Sequence, residues 1–313
     1  MKYRALGKTG LDVSTIGFGA SPLGNEFGGI DPVEGARAVH LAIDQGINFF
    51  DVAPYYGRTL AEERLGAALA GKRQHVILAT KCGRYDSDAF DFSPARVKKS
   101  VEESLRRLRT DYVDLLTAHD IEFGDREQIV RETVPALREL QREGKVRNVG
   151  ISGLPLKMLA DVAMRAQVDT VLSYCRYNLI ARDLDIWLTP IAEARQIGLI
   201  NASPLHMRLL TAAGAPAWHP ASETAKRIGS QVVRLCQKHG VDPAALALRF
   251  CLMHPYVSCT LVGMSNAGEV ERNLLALEME PDAELLRQIE QMVELVKNST
   301  WRSGRPENSD NAA

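Results

Sequence analysis

The sequence predicts an α/β fold, a closed (β/α)8 TIM barrel forming a single domain over residues 1–313, with a short N-terminal hairpin and an extra C-terminal helix. Three observations carry that prediction. Short β-branched and aromatic runs are followed by amphipathic helical stretches eight times in succession. The runs are apolar throughout, as strands covered on both faces are. No linker, repeat or sharp composition change divides the chain, and 313 residues suit one barrel, which commonly takes about 250 residues, with additions. An open doubly wound sheet is the competing arrangement. Its fingerprint is missing: "GFGASPLGNEFGG" offers glycines after the first strand, but not a tight GxGxxG at a helix start.

In chain order, "VSTIGFGAS" (13–21) precedes the helical "PVEGARAVHLAIDQG", and "NFFDVA" (48–53) precedes "LAEERLGAALAG". "VILATKC" (76–82) leads into "SPARVKKSVEESLRRL", and "YVDLLTAHD" (112–120) into "REQIVRETVPALRELQREG". "VRNVGIS" (146–152) is followed by "PLKMLADVAMRA", and "TVLSYCR" (170–176) by "LDIWLTPIAEARQ". "GLINASP" (198–204) introduces two helical segments, near 222–239 and 243–254, and "SCTLVGM" (258–264) precedes "AGEVERNLLAL". A last helix, about 282–298, and the polar "GRPENSDNAA" follow; the tail after about residue 304 is expected to be mobile.

Composition narrows the function. A net charge of −1 gives no global field for nucleic acid or anionic lipid. No apolar run reaches membrane-span length, and "MKYRALGKTG" lacks the apolar centre of a secretory signal, so a cytoplasmic protein is expected. The five cysteines are scattered, with no CxxC pair, and read as buried reduced thiols rather than disulfides or metal ligands. "HDIE" lacks the second histidine of a zinc helix, so no metal is expected. Oligomeric state is not legible.

Barrels of this kind work at the C-terminal ends of their strands. The second strand ends in Asp51, with Tyr56 in the next loop; the third presents Lys81 and the fourth His119. Singly, each has a plain reading as a turn residue, packing group or satisfied interior group. Together at neighbouring strand ends, they suit proton transfer. A phenol titrates near 10, too high for efficient transfer near neutral pH. A nearby ammonium, Lys81, is expected to lower it, with Asp51 as the countercharge. A neutral His119 imidazole would aim a substrate oxygen at Tyr56.

This pattern resembles the aldo-keto reductase family. "GKTGLDVSTIGFGA", "GINFFDVAPYYG", "ATKCG", "LLTAHD", "VGIS", "ASPL" and "GMSNAGEVERN" are similar to its successive signatures, in order, over essentially the whole barrel. The resemblance implies a catalytic tetrad of Asp51, Tyr56, Lys81 and His119, and an extended nicotinamide dinucleotide across the barrel mouth. It implies that Ser152 binds the carboxamide, with Tyr174 where much of the family has glutamine. Ser203 and Leu205 would line the pyrophosphate, and Gly263, Ser265 and Asn273 would meet the adenosine end. Two departures stand out: Gly153, where the family often has asparagine, and Ala202, where it often has an aromatic that stacks on the nicotinamide. A third concerns the cofactor. NADP-preferring members place basic residues where this chain has Gly263 and Glu269. A carboxylate repels a 2′-phosphate and accepts hydrogen bonds from free ribose hydroxyls, so NAD is expected over NADP, with Arg272 as the competing influence.

Within the family the likeness is to members that oxidise an aldose such as L-galactose at C1 to the lactone, and sequence does not rank L-galactose against L-fucose. The walls of the sugar pocket are expected from Phe27, Asp120, Phe123, Trp218, His219 and Trp301, with Asp120 beside His119 holding a hydroxyl. An NADP-linked carbonyl reductase, a pyridoxal-type dehydrogenase and a cofactor-sensing regulatory subunit are the competing readings.

Overall fold

The computed structural model describes residues 1–310. The chain opens with an antiparallel hairpin, β1 (Tyr3–Ala5) and β2 (Asp12–Ser14). Parallel strands then follow: β3 (Ile16–Gly19), β4 (Phe49–Asp51), β5 (Ile77–Cys82), β6 (Val113–Ala118), β7 (Val146–Gly153), β8 (Thr170–Tyr174), β9 (Gly198–Ala202) and β10 (Cys259–Gly263). They close as a barrel in the order β10-β3-β4-β5-β6-β7-β8-β9. The predicted barrel is therefore the observed one, and each strand lies inside its predicted run except β7, which extends one residue further, to Gly153.

The helices start where local chemistry provides a cap. Asp31 and Ser93 accept hydrogen bonds from Val33 and Arg96 backbone N–H groups, each just ahead of a proline that opens the helix (Pro32–Asp44, Pro94–Leu108). Asp242 and Asn266 do the same for Pro243–Leu252 and Ala267–Leu275. The long helix expected after β6 is instead Arg126–Gln128, a π-helical turn over Ile129–Thr133, and Val134–Arg142. Pro135, which lacks an N–H, sits just after that bulge.

The barrel interior explains how the mouth is built. Leu6, Val13, Phe49, Ala79, Leu115, Leu172, Ile200, Cys259 and Leu261 form one buried cluster, in which the hairpin residues Leu6 and Val13 join residues of the strands. Side chains alternate along a strand, so the residue two further on points the same way. Two residues past Phe49, Ala79, Leu172, Ile200 and Leu261 stand Asp51, Lys81, Tyr174, Ala202 and Gly263. Asp51, Lys81 and Tyr174 thus bring polar groups into the layer at the mouth, with the small Ala202 and Gly263 beside them.

Beyond Gly304 the chain forms the short turn Pro306–Asn308, Asn308 donates to the Glu122 and Gly124 carbonyls, and the Asp310 carboxylate accepts from the Leu156 and Lys157 N–H groups. The segment expected to be mobile thus makes specific hydrogen bonds to the barrel, where a polar tail satisfies backbone groups that would otherwise be orphaned.

Candidate active site

All eight barrel strands contribute to one cleft of about 1120 Å³: Gly19, Asp51, Lys81, His119, Ser152, Tyr174, Ala202 and Gly263 line it, each within one residue of a strand's C-terminal end. Asp51 and Lys81 come from neighbouring strands, with Asp51 paired beside Ala79. Both are buried, at 4% and 1% exposure, and form an ion pair. Lys81 Nζ also donates to the Val52 carbonyl at 3.0 Å and to the Tyr56 hydroxyl at 3.3 Å. The loop that carries Tyr56 is pinned by Glu26, which accepts from the Gly57 N–H at 2.7 Å. Gly57 has φ +61, and a Cβ there would lie 2.2 Å from the Gly24 carbonyl, so the turn admits only glycine.

The electrostatics differ from expectation at the phenol. Tyr56 is pushed up to about 12, because burial outweighs the nearby Lys81 charge. Burial also raises the Asp51 carboxyl, against the pull of Lys81. For Lys81 burial acts downward, but Asp51 and Tyr56 prevail and raise it, so the ammonium stays charged. His119 is held well below its usual value by burial and by Lys81 and Arg84, which keeps the imidazole neutral. Its Nδ1 is buried without a partner, and its ring stands edge-on to Tyr56 with centroids 5.7 Å apart.

The rest of the predicted set divides. Ser203, Leu205, Ser265, Glu269 and Asn273 line the same cleft as Ser152, Tyr174 and Gly263. Ser152 Oγ accepts from the Asp120 N–H at 3.3 Å, locking β7 to the turn beyond β6. The Glu269 carboxylate accepts from the Ser265 N–H and hydroxyl at 2.7 and 2.9 Å, at the start of the Ala267–Leu275 helix. Phe27 and Trp218 line the cleft with ring centroids 6.1 Å apart, and Asp120 and Trp301 line it too. Phe123 does not: it stacks on Phe90 at 4.1 Å, behind Arg84. His219 is also off the cleft, buried with Nε2 on the His206 carbonyl and Nδ1 on the Ala221 N–H. Phe123 packs against an apolar side chain of the neighbouring loop and His219 against backbone groups of its own, which outweighs exposure to the mouth.

Sequence reasoning missed Arg84. Its guanidinium lies over the Tyr55 ring at 3.8 Å, is paired with buried Asp120 at 2.5 Å, and lines the cleft. The only signal was its place three residues beyond Lys81, on the loop leaving β5. Arg208 was missed as well; it lines the cleft after three successive left-handed residues, His206, Met207 and Arg208 itself (φ +48, +48, +77).

The aldo/keto reductase family model matches residues 15–294. The chain belongs to that family. It is 48% identical to the L-galactose dehydrogenase of Arabidopsis thaliana, over 98% of this chain and 99% of that one. It is 28% identical to a D-threo-aldose 1-dehydrogenase of a Pseudomonas species, over 86% and 91%. Among solved structures, it resembles an aldo-keto reductase from Bacillus halodurans in its holo form, at 30% identity, TM-score 0.81 and coverage of 97% and 99%. Aldo-keto reductases are oxidoreductases that use nicotinamide cofactors, and the cleft of this one fits such a group. The same cleft is lined by His119, with its orphaned buried nitrogen, and by Ser265, next to the capped start of the Ala267–Leu275 helix. Among the described residues no cluster of three His, Cys, Asp or Glu side chains is arranged to hold a metal, and no helix is long and apolar enough to cross a membrane.

Proposed function

We propose that this oxidoreductase oxidises L-galactose, or a closely related aldose such as L-fucose, at C1 to the aldonolactone, with NAD preferred over NADP. The observation that carries the reading is the convergence of Lys81, Asp51, Tyr56 and His119 at one end of the cleft. Similarity to a relative named L-galactose dehydrogenase over almost its full length supports the sugar.

In this reading Tyr56 takes the proton of the anomeric hydroxyl. The tyrosinate form accepts that proton and becomes the phenol; the charged Lys81 lowers the cost of the tyrosinate beforehand, and Asp51 holds Lys81 in place within a dry site. Neutral His119 donates to, or accepts from, the same oxygen and orients it. When bound, the nicotinamide accepts the hydride released from C1. Ser152 and Tyr174 would hold its ring end, with Tyr174 standing in for the aromatic absent at Ala202. Ser203, Leu205 and Arg208 would lie along the pyrophosphate. Gly263, Ser265, Glu269 and Asn273 would surround the adenosine. The Glu269 charge at that end supports NAD, because a 2′-phosphate would meet it directly. Phe27, Trp218 and Trp301 offer apolar faces, and Asp120 with Arg84 polar edges, which together suit a sugar.

The test is a screen of L-galactose, L-fucose, D-arabinose and pyridoxal with each cofactor, following absorbance of the reduced nicotinamide. The highest kcat/KM is expected for L-galactose or L-fucose with NAD. A pyridoxal preference would overturn the substrate, and an NAD to NADP ratio at or below one would overturn the cofactor.

A further inference from the structure

Glu122 lies in the turn Ile121–Phe123, directly after His119 and Asp120, and is completely buried behind the cleft wall. Two glycines clasp it. A Cβ at Gly153, the last residue of β7, would stand 2.5 Å from Glu122 Oε2; one at Gly304 would stand 2.6 Å from its Cγ and 2.3 Å from its carbonyl oxygen. Neither position has room for a side chain unless Glu122 moves. This is the structural counterpart of the Gly153 departure: Glu122 occupies the space that an asparagine at 153 would need.

Its bonds reach two other segments of chain. Oε1 accepts from the Leu154 N–H at 3.2 Å and from the Ser303 hydroxyl at 2.9 Å. The carbonyl oxygen accepts from the Arg305 N–H at 3.0 Å and from Asn308 Nδ2 at 2.9 Å. Ser303 follows Trp301, a cleft wall residue, by two positions, while Glu122 follows Asp120, another, by two. The strap from Ser303 onward then ends at Asp310, bound to the Leu156 and Lys157 N–H groups and beside Arg176.

We propose that Glu122 is a positioning residue: its buried carboxyl ties the C-terminal strap to the turn carrying His119 and Asp120, so that one group sets two walls of the cleft. Its protonated form suits this niche. The groups that face it are Asp120 from its own turn, Ser303 from the strap, the Leu154 N–H from the end of β7, and the Tyr174 phenol from β8. The Arg305 side chain is directed elsewhere, with Nε on the Phe123 carbonyl and Nη1 3.9 Å from Asp125. Oε2 is buried without a partner, as a neutral hydroxyl oxygen tolerates better than a charged one. Burial, then the Asp120 charge, push Glu122 up to about 8. The opened carboxyl gives up its proton from about pH 4.5 upward while the closed one holds it, so the strap loosens as pH rises toward about 8 and the loss levels off above it, where the uncompensated charge sits between the two glycines.

The proposal rests on the functional reading only in its kinetic arm; its structural arm needs no substrate. Amide hydrogen exchange on the full chain reads the protection of Arg305 and Asn308, corrected for intrinsic rates. Between about pH 7 and pH 9 the protection of the wild type is expected to fall about tenfold, most of it below about pH 8, with a plateau above. Glu122→Gln, which keeps the accepting oxygen and cannot ionise, is expected to hold its protection at both pH values and keep kcat/KM near the wild-type value at about pH 7. Glu122→Ala is expected to lose protection at both and to raise KM. If that variant does not fold, Gly153→Ser, which presses on Oε2 from β7, is expected to lower strap protection in its place. A wild-type strap whose protection ignores pH, or a Glu122→Gln protein as loosened as Glu122→Ala, overturns the proposal. Strap protection that behaves as expected without sugar oxidation would sink the functional reading alone.

Discussion

Replacing Lys81 with methionine separates what this lysine does for the fold from what it does for the reaction. The substitution keeps an unbranched apolar stem and removes the ammonium. Asp51 is only 4% exposed, so its carboxylate cannot be rehydrated where it stands. Breaking a buried pair in this way costs about 3–5 kcal/mol, or roughly 10²–10⁴ in the folding equilibrium at about 1.4 kcal/mol per factor of ten. Tyr56 loses the charge 3.3 Å away, the main influence opposing the burial that already pushes it up to about 12. Its proton transfer is expected to slow by about 10²–10⁴-fold, the range typical of general acid–base catalysis. The double variant Asp51→Leu/Lys81→Met distinguishes the two losses. Apolar replacement of a buried ion pair is often neutral or stabilising, so most of the stability is expected to return while turnover does not. Urea unfolding measures the first, through a midpoint shift at constant slope, and absorbance of the reduced nicotinamide measures the second. A double variant that regains turnover would refute the catalytic role of Lys81. A single variant as stable as the wild type would refute the buried pair.

Three further outcomes are expected. Tyr56→Phe should lower kcat by about 10²–10⁴-fold with cofactor affinity, followed by fluorescence titration, nearly unchanged; a Phe variant with most of its activity would move the proton carrier elsewhere. His119 is held neutral in the fold, so below an unfolded pKa of about 6.5 only the unfolded chain gains that proton, and the stability His119 contributes above this pH is lost as pH falls, by up to about 1.4 kcal/mol per unit. Comparing His119→Asn with the wild type across about pH 5–7 by urea unfolding should show a flatter slope in the variant. Arg84→Gln leaves Asp120 without its cation in a buried niche, and should raise the sugar KM by about tenfold or more while changing kcat less; an equal fall in kcat and kcat/KM would place Arg84 on the reaction rather than on sugar binding.

Much of the fold was legible because its signals are local. Strands covered on both faces must be apolar along their length, and the runs around Phe49, Leu78, Leu116 and Ile151 have no other reading once each is followed by an amphipathic helix. The tetrad was legible for a related reason: alternation along a strand and barrel closure bring Asp51 and Lys81 into one layer, whatever the loops do. Phe123 and His219 were misplaced because loop residues have no such periodicity. Which way each turns depends on a partner, Phe90 or the His206 carbonyl, that pattern does not name.

The sequence by itself determined the number and order of the strands, the layer that reaches the barrel mouth and the residue types gathered there. Only the tertiary structure decided how dry that layer is, and hence that burial rather than Lys81 governs the Tyr56 proton. It also decided that Arg84 pairs with Asp120 and that the C-terminal tail hydrogen-bonds to Glu122. The physical reason is range. Periodicity acts between residues a few positions apart, whereas desolvation and the partnering of charged side chains depend on segments far away in the chain, as where Arg4 meets the Val257 carbonyl 253 positions on.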